Sequence, residues 1–238
     1  MYCIIINNIN LNMWWSTKCG CTFIKNLIYN EIEKRNIDIS TNIEYIHIEE
    51  SYSNGLNNYK NILVVRNPIS RIISSFINKF VYYSGAITIY GNLLTFDLFV
   101  DLLYKHYICN QNVSFNHFII HHTTPQFSEA FDGRKFDKIY CLEKFNDITY
   151  FNDYLSNFNI VDNETISNSK IHSNYNNSKK TLTITNAYLL NIDELKKILE
   201  TIQISYESFL NDNNLDKLKQ IYKIDYDILK EYNINYLE

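Results

Sequence analysis

Apolar residues along the chain fall into two patterns. Short β-prone runs occur at Met1 to Ile6, Leu11 to Trp15, Ile62 to Val65 and Phe136 to Leu142, and Glu44 to Ile48 alternates in the same manner. Between and after them the spacing becomes helical. Phe23, Ile24, Leu27, Ile28 and Ile32 share one face, as do Ile72, Ile73, Phe76, Ile77 and Phe80, and then Phe96, Phe99, Val100, Leu103 and Tyr104 within Leu93 to Tyr107. Further helices are predicted around Asp147 to Phe158, over Asn191 to Gln203 and over Asn214 to Tyr232. Strand runs separated by helical patterns predict an α/β fold, a three-layer domain with a central parallel sheet of four or five strands and helices on both faces. The continuous run Ile62 to Val65 suits a parallel strand buried on both sides. One domain over residues 1–238 is expected, with the polar, Asn/Ser-rich stretch 161–180 as a flexible surface loop.

Two strand-to-helix turns carry the candidate chemistry. The first, WWSTKCGCTFIK at residues 14–25, places Gly20 and Lys18 between a strand and a helix. A helix start offers unpaired backbone N–H groups and the positive end of the helix dipole, so this turn is suited to an anion such as a phosphate or phosphosulfate. Strand-to-helix turns with one glycine are common, and most bind nothing. The second turn strengthens the reading. In NILVVRNPISRIISSFINKF, residues 61–80, Arg66 follows the apolar strand and Asn67-Pro68 breaks it before the next helix. Arg66 is thus set at the carboxyl end of a strand, the edge where open α/β sheets bind ligands, and an arginine there can grip phosphate through paired hydrogen bonds. Ser74, on the helix that follows, can share that phosphate.

Together the two segments resemble the sulfotransferases, and more closely the carbohydrate sulfotransferases of the chondroitin 4-O and HNK-1 type. Lys18, Gly20, Cys21, Thr22 and Lys25 match the family's Lys-x-Gly-Cys-Thr-x-x-Lys loop. That loop, here Lys18, Cys19, Gly20, Cys21, Thr22, Phe23 and Lys25, holds the 5′-phosphosulfate of 3′-phosphoadenosine 5′-phosphosulfate (PAPS) in the family. Arg66, Pro68, Arg71, Ser74 and Phe80 fit the segment that holds the 3′-phosphate, with Asn67 replacing its usual acid. The resemblance implies Arg66 and Ser74 as 3′-phosphate ligands, a P-loop-like fold, sulfuryl transfer to a hydroxyl acceptor of glycan type, and no metal. Lys18 would neutralise charge on the departing phosphate.

The likeness extends further. His47 lies where the family's candidate base precedes the arginine segment, and a near-neutral pKa suits that role; the alternative is a core histidine on a strand. His122, Pro125 and Gln126 match a His-x-x-Pro-Gln element near the acceptor site, so His122 and Gln126 either line the substrate or belong to a structural loop. His117, His121 and His122 lack a carboxylate or thiolate spaced to complete a metal set. Glu143, trailing the Phe136 to Leu142 strand, lies at the ligand edge, or caps a helix, or forms an ion pair. Tyr222, Asp225 and Tyr226 match the family's terminal segment.

Composition narrows the classes. At 238 residues with 46% hydrophobic content the chain can bury a substantial core, and a net charge of −4 argues against a general nucleic-acid binder. No apolar run reaches the ~20 residues of a membrane span, and no signal-like start is seen. The expectation is a soluble, unanchored protein, cytoplasmic or otherwise, unlike the Golgi relatives. The five cysteines, Cys3, Cys19, Cys21, Cys109 and Cys141, show no zinc or redox spacing and are expected reduced. Two alternatives stay open: a P-loop small-molecule kinase, whose Gly-x-x-x-x-Gly-Lys-Ser/Thr motif is missing, and a non-catalytic nucleotide-binding protein.

Overall fold

The computed structural model describes residues 2–21, 24, 58–82, 91–113, 115, 117–128, 133–158 and 179–236. In chain order these begin with strands β1 (Tyr2–Ile6), β2 (Leu11–Trp15) and β3 (Lys60–Val65), then helices α1 (Pro68–Phe76), α2 (Phe96–Tyr107) and α3 (His117–Thr123). Strand β4 (Lys138–Cys141) and helix α4 (Ile148–Ser156) follow. The last part contains β5 (Thr181–Leu182), α5 (Ile192–Thr201), β6 (Gln203–Ile204), α6 (Asp212–Ile221) and α7 (Lys223–Glu231). The fold is α/β. Its chain divides into two compact units interleaved in sequence: Met1–Asn67 with Glu129–Tyr175, and Pro68–Ser128 with Asn176–Glu238.

The first unit is built on a sheet that, among the described residues, has four strands in the order β1-β2-β3-β4. Strands β2, β3 and β4 run parallel, with Trp15 opposite Val64 and Val65 opposite Cys141. Strand β1 is antiparallel to β2, so the expected central sheet is mostly parallel with one antiparallel edge strand among the described residues. The cause is the local connection: Asn7–Ile9 and the left-handed Asn10 turn the chain straight back, whereas a parallel pair needs a crossover of a dozen residues or more. On one face Ile4, Met13, Trp15, Ile62, Val64 and Tyr140 pack with Phe145 and with Phe151, Tyr154 and Leu155 of α4. Asp147 caps α4 by accepting from the N–H groups of Thr149 and Tyr150. Leu63 and Val65, which point to the opposite face from Ile62 and Val64, are also buried, so β3 is covered on both sides as its unbroken apolar run requires.

The second unit is helical around an aromatic centre. Phe76 lies within 5.2 and 5.3 Å of Phe96 and Phe99, and Phe80 within 4.7 Å of Phe99. Helix α1 starts on Pro68, where the missing N–H costs nothing, and passes into a π-helical turn over Ile77–Val81. Beside that switch the Asn78 side chain donates to the carbonyl of Ser74. Residues 116–127, read from sequence as a loop, contain helix α3, and the single helix expected over Asn214 to Tyr232 is two. It breaks at Tyr222, which is buried and donates its hydroxyl to the Thr123 carbonyl at 2.7 Å. The strand expected at Glu44 to Ile48 and most of the 161–180 stretch lie outside the described residues. No helix among the described residues is long and apolar enough to cross a membrane.

Candidate functional site

In the first unit the parallel register brings three chain segments to one edge of the sheet. Asn67 stands two residues beyond Val65 and Glu143 two beyond Cys141, and Val65 and Cys141 are paired, so both reach the same distance past the strands. There the Asn67 N–H donates to Glu143 Oε1 at 2.9 Å. The Arg66 guanidinium has its Nε 3.7 Å from the same carboxylate oxygen, and its Nη1 donates to the Lys18 carbonyl at 3.2 Å. Lys18 and Arg66, far apart in sequence, are thus brought together, and Glu143 joins them. Of the roles left open for Glu143, the ion pair and the place at the sheet's carboxyl edge both hold.

The first turn is tightly determined. Trp15 donates its indole N–H to the Cys21 sulfur at 3.0 Å, the Cys19 N–H reaches the Ser16 carbonyl at 3.3 Å, and the Ile24 N–H bonds the Gly20 carbonyl at 2.8 Å to open the helix. Cys19 is fully buried, and Ser16 and Thr17 nearly so. Lys18 adopts a left-handed backbone, φ +63°, which costs a side-chain-bearing residue ~1 to 2 kcal/mol. Strain of this kind concentrates where a loop is held for function. Gly20 is also left-handed at φ +77°, and a Cβ added to it would stand 2.7 Å from Leu142 Cδ1, in the segment that follows β4. The left-handed conformation favours glycine there, whereas the close contact is with the end of the Leu142 side chain, which can shift. Cys21, half-buried, accepts the indole bond, in keeping with a packing role.

Other sequence-selected residues belong to the second unit. Ser74 lies on α1 and is largely buried. The His122 carbonyl accepts from the Ser75 hydroxyl at 3.1 Å, and its ring meets that of His121 edge-on, centroids 5.1 Å apart. Gln126 is buried, and both its backbone N–H and its side-chain amide reach the carboxylate of Asp225, at 3.0 and 3.4 Å. The Phe127 N–H joins them at 2.9 Å. Burial raises the pKa of Asp225 above the ordinary carboxylate value, against the opposing pull of the Arg71 charge and these N–H groups. Tyr107 bonds Thr123 at 2.9 Å, so helices α2 and α7 and the Tyr222 hydroxyl all hold the segment that carries His122 and Gln126.

His47, Thr22, Phe23 and Lys25 lie outside the described residues. Within them, no group of three or more His, Cys, Asp or Glu side chains is arranged to hold a metal ion. Sequence reasoning missed two elements of the site. It gave Glu143 the ligand edge, a cap or an ion pair as its roles but not Asn67 and Arg66 as its partners, which follow only from the register of β3 and β4. It also missed the left-handed Lys18, for which the residue type gives no signal.

Neither the curated proteins nor the solved structures include a match to this chain. The family comparison is different: residues 16–233 match the Sulfotransferase family, a span that starts at the Lys18 turn and takes in Arg66, Glu143 and Asp225. With nearly its whole length inside that match, the chain belongs to the sulfotransferase family.

Proposed function

We propose that this sulfotransferase takes its sulfuryl group from PAPS and delivers it to a hydroxyl of a carbohydrate. The observation that carries the proposal is the convergence of the Lys18 turn and Arg66 on one carboxyl edge of a parallel sheet. Two cationic side chains and a helix start suit a ligand with phosphate groups at two positions. When bound, PAPS supplies the sulfuryl group and a phosphate as leaving group.

The residues then divide the work. Lys18 and the amides of Cys19, Gly20, Cys21, Thr22 and Phe23, with Lys25, cradle the 5′-phosphosulfate. Their fixed positive charge meets the charge that grows on the departing oxygen, an effect worth ~3 to 4 kcal/mol per donor in comparable sites. Arg66 binds the 3′-phosphate. His47 accepts the proton of the acceptor hydroxyl, and His122 contacts the acceptor. The glycan assignment rests on the likeness of the loop to the carbohydrate subgroup, Lys18-Cys19-Gly20-Cys21-Thr22.

Calorimetry with 3′-phosphoadenosine 5′-phosphate tests the donor. Binding by the wild type and a loss of ~1.5 to 3 kcal/mol in Arg66→Ala are expected, the range for a hydrogen bond to a charged group. Absence of binding by the wild type refutes the donor, and an unchanged affinity in Arg66→Ala refutes the residue. Turnover of labelled PAPS with glycan, phenol and peptide acceptors tests the acceptor class.

A further inference from the structure

We propose that Glu143 is a positioning residue of the donor site, which fixes the Arg66 guanidinium across the ends of the three parallel strands; its functional consequence rests on the donor reading given above. Glu143 is itself anchored first, because its Oε1 accepts the backbone N–H of Asn67 at 2.9 Å. The same oxygen faces Arg66 Nε at 3.7 Å, while Nη1 is held by the Lys18 carbonyl at 3.2 Å. The guanidinium is therefore held by one hydrogen bond from the end of β2 and faced by a carboxylate at ion-pair distance from the end of β4, while its own backbone leaves β3. Its neighbour Asn67 carries no charge, and the carboxylate on Arg66 comes instead from the adjacent strand.

A carboxylate at this edge demands a reason. By charge alone it repels a phosphate, so removing it should tighten the anion. Positioning acts in the opposite direction. An arginine whose long side chain is already ordered loses less freedom on binding, so the anchored guanidinium takes up phosphate more tightly than a mobile one. Glu143 also acts at one remove on the first turn, because Arg66 holds the carbonyl of the left-handed Lys18. The two effects predict opposite signs for one substitution, and the geometry selects the second.

The experiment is a double-substitution cycle read by calorimetry with 3′-phosphoadenosine 5′-phosphate. Glu143→Ala is expected to weaken binding at least tenfold in the wild-type background, although it removes a negative charge. In the Arg66→Ala background the same change is expected to leave affinity unchanged or to improve it, since nothing remains to be positioned. Glu143→Gln keeps an oxygen for the Asn67 N–H but not the charge that faces Arg66, and should recover only part of the loss. Equal or tighter binding by Glu143→Ala, or the same tenfold loss with and without Arg66, overturns the proposal. If Glu143→Ala does not fold, Glu143→Ser takes its place. If the wild type does not bind the nucleotide, the donor reading fails by itself, and positioning is then judged by NMR of the ligand-free protein. The Arg66 side chain should be ordered in wild type and conformationally averaged in Glu143→Ala, as its Nε–H relaxation reads; identical order in both overturns it.

Discussion

Replacing Asp225 by alanine should cost the fold ~3 to 5 kcal/mol, the usual penalty for removing one member of a buried charged cluster. The carboxylate is fully buried and accepts from the Gln126 N–H at 3.0 Å, the Phe127 N–H at 2.9 Å and the Gln126 side-chain amide at 3.4 Å. Gln126 and Phe127 are buried too, so water cannot readily replace the lost acceptor, and each stranded amide carries a desolvation penalty of ~1 to 3 kcal/mol. The substitution also removes a negative charge that acts on Arg71, itself buried. Asn at 225 keeps the shape and one oxygen, and should cost ~1 to 3 kcal/mol. The assay is urea unfolding of the full chain; a cost below ~1 kcal/mol for Asp225→Ala would refute the assignment.

The pH dependence gives an independent sign. Burial makes the folded protein hold the Asp225 proton more tightly than the unfolded chain, whose carboxylate titrates near 3.8. The folded state therefore binds more protons just above that value. The contribution of this group to stability is fully present below it and is lost as pH rises through the raised folded pKa. The stability of the wild type relative to Asp225→Asn should accordingly fall as pH increases from 3.8, and a rise over the same range would contradict the burial effect.

Three further outcomes are expected. Gly20→Ala should destabilise the fold by ~1 to 3 kcal/mol from its left-handed φ and the contact with Leu142; adding Leu142→Ala should relieve only the steric part, and urea unfolding of Gly20→Ala, Leu142→Ala and the double variant measures both. His47→Ala should lower kcat at least tenfold with nucleotide binding unchanged, whereas His122→Ala should raise the acceptor KM more than it lowers kcat; steady-state kinetics that reverse the pattern move the base to His122. Turnover should survive EDTA, because the proposed leaving phosphate is met by Lys18 and backbone amides; loss in EDTA with recovery in Mg²⁺ would favour phosphoryl transfer instead.

What the sequence determined by itself was the order of elements and the residues that end them. The run Ile62 to Val65, short and bounded by Asn67-Pro68, suits a strand covered on both faces, and the Asn-Pro pair follows it with a break and a helix start. The glycine at 20 marks a turn that no side-chain-bearing residue fits without strain. These are local properties, fixed by steric limits on φ and by the burial of contiguous apolar groups. The class, the Lys18 turn and the strand-end place of Arg66 were therefore legible without coordinates.

The tertiary structure alone decided which strand ends meet. Pairing Val65 with Cys141 puts Glu143 on the Asn67 amide and beside Arg66, and nothing in the intervening chain announces that register. It also turned β1 antiparallel, split the last helix at Tyr222 and sent both amides of Gln126 to Asp225, which is distant in sequence. The last two depend on a hydrogen bond or a burial between residues far apart in the chain, and the first on a tight turn whose strand pairing shows only once the sheet forms. Periodicity reports only which face of an element is apolar, and a buried amide or carboxylate finds its partner only when the elements are packed.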